Sequence, residues 1–168
     1  MKRFSGLLAS AAVFAAGSLA RAETVISTFD DFNLDVLYAW SDATIVSGPT
    51  SYDVTDTGFG SGYKNLDPNL DATGETTIEL TVEISAPGAN PNQAVSGPIV
   101  SLGDADGTLA SYAWYGQTPG VHVLKALLTS GTGLNTGGKP GLDLSNLDFF
   151  HLQDDPGAYH GVYTISFQ

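Results

Sequence analysis

Acidic turns and one aromatic strand are the places where this chain could do chemistry. Asp104-Ala105-Asp106-Gly107 alternates carboxylates like the start of a calcium loop. Calcium takes about six to eight oxygen ligands, which clustered carboxylates supply. An EF-hand loop wants a carboxylate at its twelfth position, and Tyr115 stands there. The same residues also make a plain tight turn, in which Asp accepts backbone N–H bonds and Gly takes positive φ. Asp67-Pro68-Asn69-Leu70-Asp71 alternates oxygens too, but Ala72 and Ile78 occupy the glycine and last-carboxylate positions, so it reads as a polar loop. Tyr112 and Trp114 lie two apart and share a strand face. A flat aromatic can stack on sugar C–H faces while polar neighbours bond the hydroxyls. His122, on the strand predicted to pair with theirs, is the nearby polar group. The rival reading puts Tyr112 and Trp114 in the core, and then Tyr115, on the opposite face, becomes the exposed aromatic.

Catalytic patterns are weaker. His151 and His160 flank Asp154 and Asp155, but a turn separates them and no spacing fixes a carboxylate–imidazole pair. There is no G-x-S-x-G elbow and no H-E-x-x-H. Carboxylates are plentiful, yet nothing selects the two that glycoside hydrolysis needs. With no cysteine in the chain, thiolate nucleophiles, disulfides and Cys-ligated zinc are excluded. The expectation is a protein that is not an enzyme.

The first 22 residues read as a secretory signal peptide: Lys2 and Arg3, an apolar run over 7–16, then Ala20-Arg21-Ala22 as a cleavage site. Residues 23–168 form one domain, expected outside the cytoplasm with no membrane insertion. They hold all 18 acidic residues against three lysines (Lys64, Lys125, Lys139), a net charge of −15. That excludes nucleic acid and anionic membranes as partners and suits cations or neutral ligands such as glycans.

The elements that position these groups are strands. Twenty glycines and eight prolines fit short strands and tight turns. Thr24–Phe29 opens the domain, and Leu34–Tyr38 could form one helical turn. Phe59–Lys64 is glycine-rich and reads as irregular. Ile78, Leu80, Val82 and Ile84 alternate with Thr77, Glu79, Thr81 and Glu83, the pattern of a strand with one buried face. Leu109–Tyr115 and Val121–Leu128 are expected to pair. Phe149–Gln153 reads as a short strand before an Asp154–Gly157 turn, and Tyr163, Ile165 and Phe167 share one face of the last strand. About nine short strands without helices predict an all-β antiparallel β-sandwich.

The order of segments, from Phe29-Asp30-Asp31-Phe32 through the two-faced strand to Asp104–Thr108 and Tyr112–Tyr115, resembles the galactose-binding-like jelly-roll domains to which many carbohydrate-binding modules belong. The resemblance spans about 24–167. It implies a structural calcium where first and last strands meet. Asp30 and Asp31 match its first half, but no acidic residue follows the last strand. It also implies binding of extracellular carbohydrate. The alternatives are a structural or adhesive surface protein and, third, a glycan-processing enzyme.

Overall fold

The computed structural model describes residues 34–39, 43–48, 51–56, 59–132 and 141–168. The leader, the Thr24–Phe29 strand, Asp30 and Asp31 lie outside the described residues. Ten strands are described: β1 (Val36–Ala39), β2 (Thr44–Ser47), β3 (Tyr52–Asp56), β4 (Gly60–Leu70), β5 (Thr77–Ser85), β6 (Ser96–Asp104), β7 (Leu109–Ala113), β8 (Gly120–Leu127), β9 (Leu147–Pro156) and β10 (Tyr163–Phe167). The one helical element among the described residues is a 3-10 turn, Leu128–Ser130. The strands form two five-stranded antiparallel sheets, ordered β1-β4-β9-β6-β7 and β2-β3-β10-β5-β8. We call them sheet A and sheet B.

The sandwich follows from alternation. Along β5, Ile78, Leu80, Val82 and Ile84 are buried, while Glu79 and Glu83 are exposed. Tyr163, Ile165 and Phe167 of β10 are buried beside them, as expected of a central strand. Val100, Leu102, Phe150 and Leu152 of sheet A close the core from the other side. All nine residues of β6 are buried, and the strand lies inside sheet A between β9 and β7.

Four expectations are corrected. Leu34–Tyr38 is not helical: its second half belongs to β1, paired with β4. The glycine-rich stretch after Phe59 is strand, in register with β9 from Gly60 to Asn65, and β4 runs on to Leu70 through an irregularity that holds Asp67-Pro68-Asn69. Its glycines are there because the backbone is crowded. A Cβ on Gly60 would lie 2.5 Å from Val54 Cγ1, and one on Gly62 2.6 Å from Leu34 Cδ1. β7 and β8 do not pair with each other; they are the edge strands of different sheets. Asp154 and Asp155 are not a turn, because β9 continues through Pro156 alongside β6.

Candidate functional site

The two edge strands decide the fate of the aromatic trio. Tyr112 is 3% exposed, and its side chain joins the core. Its hydroxyl donates to Leu128 O at 2.8 Å, tying sheet A to the turn after β8. Burial pushes the phenol's pKa up. Trp114, just past β7, packs half-buried against the core and donates from Nε1 to Lys125 O at 3.2 Å. Tyr112 and Trp114 therefore close the side of the sandwich where the two sheets lack a shared strand, and the expectation of a Tyr112/Trp114 ligand face is corrected. His122 is half-buried on the side of β8 that carries buried Leu124, and a ring nitrogen sits 2.7 Å from Thr118 O. Tyr115 is 66% exposed.

Asp104 is buried, and its oxygens are occupied. Oδ1 accepts from the N–H groups of Asp106 (3.0 Å) and Thr108 (2.8 Å), and Oδ2 from that of Asp143 (2.8 Å). Burial alone would raise its pKa; the backbone donors outweigh that and hold the carboxyl below the usual range. Gly107, at φ +83°, closes the turn. Asp106 is exposed beside it. Among the described residues, no group of three or more His, Cys, Asp or Glu is placed to hold a metal ion. Asp104 and Asp106 thus form a hydrogen-bonded turn.

A different surface carries the chemistry. β9 alternates: Phe150, Leu152 and Asp154 face the core, so Phe149, His151, Gln153 and Asp155 face out of sheet A. Register places these residues in rows across four strands. Asn65, Phe149, Gly103 and Leu109 form one row. Tyr63, His151, Ser101 and Ser111 form the next, and Ser61, Gln153, Ile99 and Ala113 the third. Asp155 and Gly97 begin the fourth, with Tyr115 over them.

Glycines on β6 let two aromatic rings lie along this face. A Cβ on Gly103 would collide with the Phe149 ring, and one on Gly97 would come within 2.6 Å of Tyr115 Cδ1. Tyr63 meets Phe149 edge-on, centroids 6.5 Å apart and planes at 67°. The two glycines are six positions apart, about 20 Å of strand. Between the rings, Ser101 Oγ and Ser111 Oγ are hydrogen-bonded at 2.7 Å. At the Tyr115 end, Asp155 accepts from Gln153 Nε2 (3.1 Å) and weakly from the Tyr115 hydroxyl (3.4 Å). Burial pushes the His151 pKa down, so the imidazole is neutral near pH 7. On β9 and β6 this face holds only buried and half-buried residues, whereas Glu79, Glu83, Val121, Val123 and Lys125 stand exposed on the outside of sheet B. The outside of sheet A thus carries a ring at each end, with His151, Ser101, Ser111 and Gln153 interleaved with Ile99 and Ala113 between them, and we refer to this strip as the trough.

Of the residues singled out in the sequence, Tyr115, His151 and Asp155 belong to it, the last two weighed there only as part of a carboxylate–imidazole pair. Phe149, Tyr63 and Gln153 were missed as site residues. The signal for Phe149 and Gln153 was the period-two pattern of β9, cut short when Asp154–Gly157 is read as a turn.

No protein-family model matches the chain, and no curated protein matches it. Solved structures do. An agarase superposes on 85% of this chain with a TM-score of 0.54 at 9% identity. This chain spans only 23% of that agarase. A family 11 carbohydrate-binding module from Clostridium thermocellum, in complex with a β-1,3-1,4-mixed-linked tetrasaccharide, covers 79% of this chain and 86% of its own length, at TM-score 0.46 and 18% identity. Another match, a structure of carbohydrate-binding modules from the β-sandwich superfamily, covers 88% of this chain and 61% of that one at TM-score 0.40 and 15% identity. The fold is an antiparallel β-sandwich, and its structural neighbours include carbohydrate-binding modules.

Proposed function

We propose that this domain is an exported, non-catalytic sugar-binding module whose ligand lies along the outside of sheet A. The observation that carries the reading is the pair of rings, Phe149 and Tyr115, laid over Gly103 and Gly97 at the two ends of one trough. Sugars present apolar C–H faces and a rim of hydroxyls. Aromatic rings take the first, and the amide of Gln153 and the carboxylate of Asp155 take the second. A trough of about 20 Å suits an oligosaccharide segment better than a single sugar. In the four rows Asp155 is the only carboxylate, whereas glycosidases use two, about 5–10 Å apart. This favours binding over hydrolysis. Export rests on the leader over residues 1–22, and protein recovered outside the cytoplasm should begin at Glu23 by intact mass.

The deciding experiment is a glycan-array screen of residues 23–168, followed by calorimetry on the best hit with Phe149→Ala and Tyr115→Ala. Both variants should lose binding at least tenfold, about 1.4 kcal/mol or more. Specific hits that survive both substitutions would move the site elsewhere. Self-association with no hits would instead support a structural or adhesive role.

A further inference from the structure

Beneath the Tyr115 end of the trough, the core holds a carboxyl group that no ligand-binding role requires. Asp154, on β9, has no exposed surface. Its neighbours across the strand are Gly60 on β4 and Pro98 on β6, which bring neither charge nor a donor side chain. Oδ2 accepts from the hydroxyl of Tyr163 on β10, a hydrogen bond that crosses from sheet A to sheet B. Oδ1 has no well-formed hydrogen bond, and neither does the buried Tyr52 hydroxyl on β3; Ser96 Oγ and the Gly97 N–H on β6 lie near enough to act on the carboxyl. Among the described residues, no lysine, arginine or histidine forms an ion pair with Asp154.

We propose that Asp154 and Tyr163 form a proton-dependent clasp between the two sheets, closed while Asp154 carries its proton and loosened when the proton leaves. The physical reason is desolvation. A carboxylate here would sit in the interior with Tyr163 as its one well-formed side-chain donor and no cation, which costs far more than a neutral acid. The neutral acid has an O–H of its own to offer to an orphaned oxygen. The groups acting on Asp154 from each packed element are few. Tyr163 from β10, Ser96 and the Gly97 N–H from β6 favour the charged form, and Asp155, next along β9 but facing out, opposes it. Tyr52 from β3 is itself pushed above the usual tyrosine range, by burial first and then by the Asp154 charge. Burial wins, and the Asp154 pKa is pushed from 3.8 up to about 7.

The sign of the pH effect follows. Between about pH 4 and pH 7 the folded protein holds one proton that the unfolded chain has released. The clasp's contribution is complete below the unfolded value and is lost as pH rises through the folded one. The unfolding equilibrium constant should therefore grow about tenfold per pH unit across that window from this group alone. Asp154→Asn keeps the shape and stays neutral.

The test is denaturant unfolding of wild type and Asp154→Asn at matched ionic strength from pH 4 to pH 9, with a carbon-13 carboxyl titration of the folded wild-type protein. The wild-type stability should fall against the variant's by one proton's worth across the window, and the Asp154 carboxyl should titrate near neutrality. Tyr163→Phe, which removes a donor to the carboxylate, should move that midpoint to higher pH. Parallel stability profiles, or a carboxyl that titrates near pH 4, would overturn the clasp. If Asp154→Asn fails to fold, the wild-type titration alone decides.

Discussion

Tyr112, Trp114 and Tyr115 fall within four residues, and the backbone gives them three different jobs. Tyr112 faces into the sandwich on β7, where its ring is core and its hydroxyl a tie to Leu128 O. Trp114 closes the gap towards β8 through Lys125 O. Tyr115 leaves the strand and turns back over Gly97, onto the other face of sheet A. Equivalent truncations should thus read out oppositely. Tyr112→Ala removes a buried aromatic and should cost about 3–5 kcal/mol. Tyr115→Ala removes an exposed ring and should change stability by only about 0.5 kcal/mol, while sugar binding is lost. Denaturant midpoints and calorimetry on the two variants check this. A large loss of stability from Tyr115→Ala would mean that the ring is a prop for β6 and not a contact for ligand.

At the scale of the element, β5 shows how far a single strand can be read from its residues. Its period of two is unbroken over 78–84, and burial follows it. Leu80→Ala should cost about 2–5 kcal/mol. Glu79→Ala should stay within about 0.5 kcal/mol, since its ion pair with Lys125 is exposed on both sides. Chemical unfolding at one pH compares the two, and the reverse order would mean a strand slipped by one residue. The same reasoning makes β10 and the inward face of β5 legible from sequence, and with them the sandwich. It fails where the determinant is not local. Nothing in Leu109–Tyr115 or Val121–Leu128 says that they belong to different sheets, because both are short, mostly apolar runs flanked by turns; partner choice is made by β6 and β5. Gly60 and Gly62 look like loop residues, yet they are strand residues that Val54 and Leu34 leave no room to replace. The trough was illegible for the same reason. Phe149 and Tyr115 lie far apart in sequence, and only β6, with a glycine under each ring, brings them onto one face.

At the scale of the whole molecule, charge sets which glycans the proposed site would accept. Residues 23–168 carry eighteen acidic side chains against three lysines. In the rows of the trough itself the charged group is Asp155, and His151 is held neutral by burial. A sulfated or uronic-acid glycan would meet repulsion from the molecule and find no cation in those rows to answer it. A neutral glycan meets neither penalty, and its binding releases no counterions. Affinity for a neutral array hit should therefore be flat as sodium chloride rises from about 50 mM to about 500 mM, a range over which the Debye length falls severalfold. Calorimetric titrations at four salt concentrations measure the slope of log Kd against log salt. An affinity that strengthens with salt would mean that the ligand is an anion whose repulsion is being screened. One that weakens steeply would mean that a cation is recognised. Either slope would shift the weight of recognition from the rings of Phe149 and Tyr115 to the charge of the surface around them.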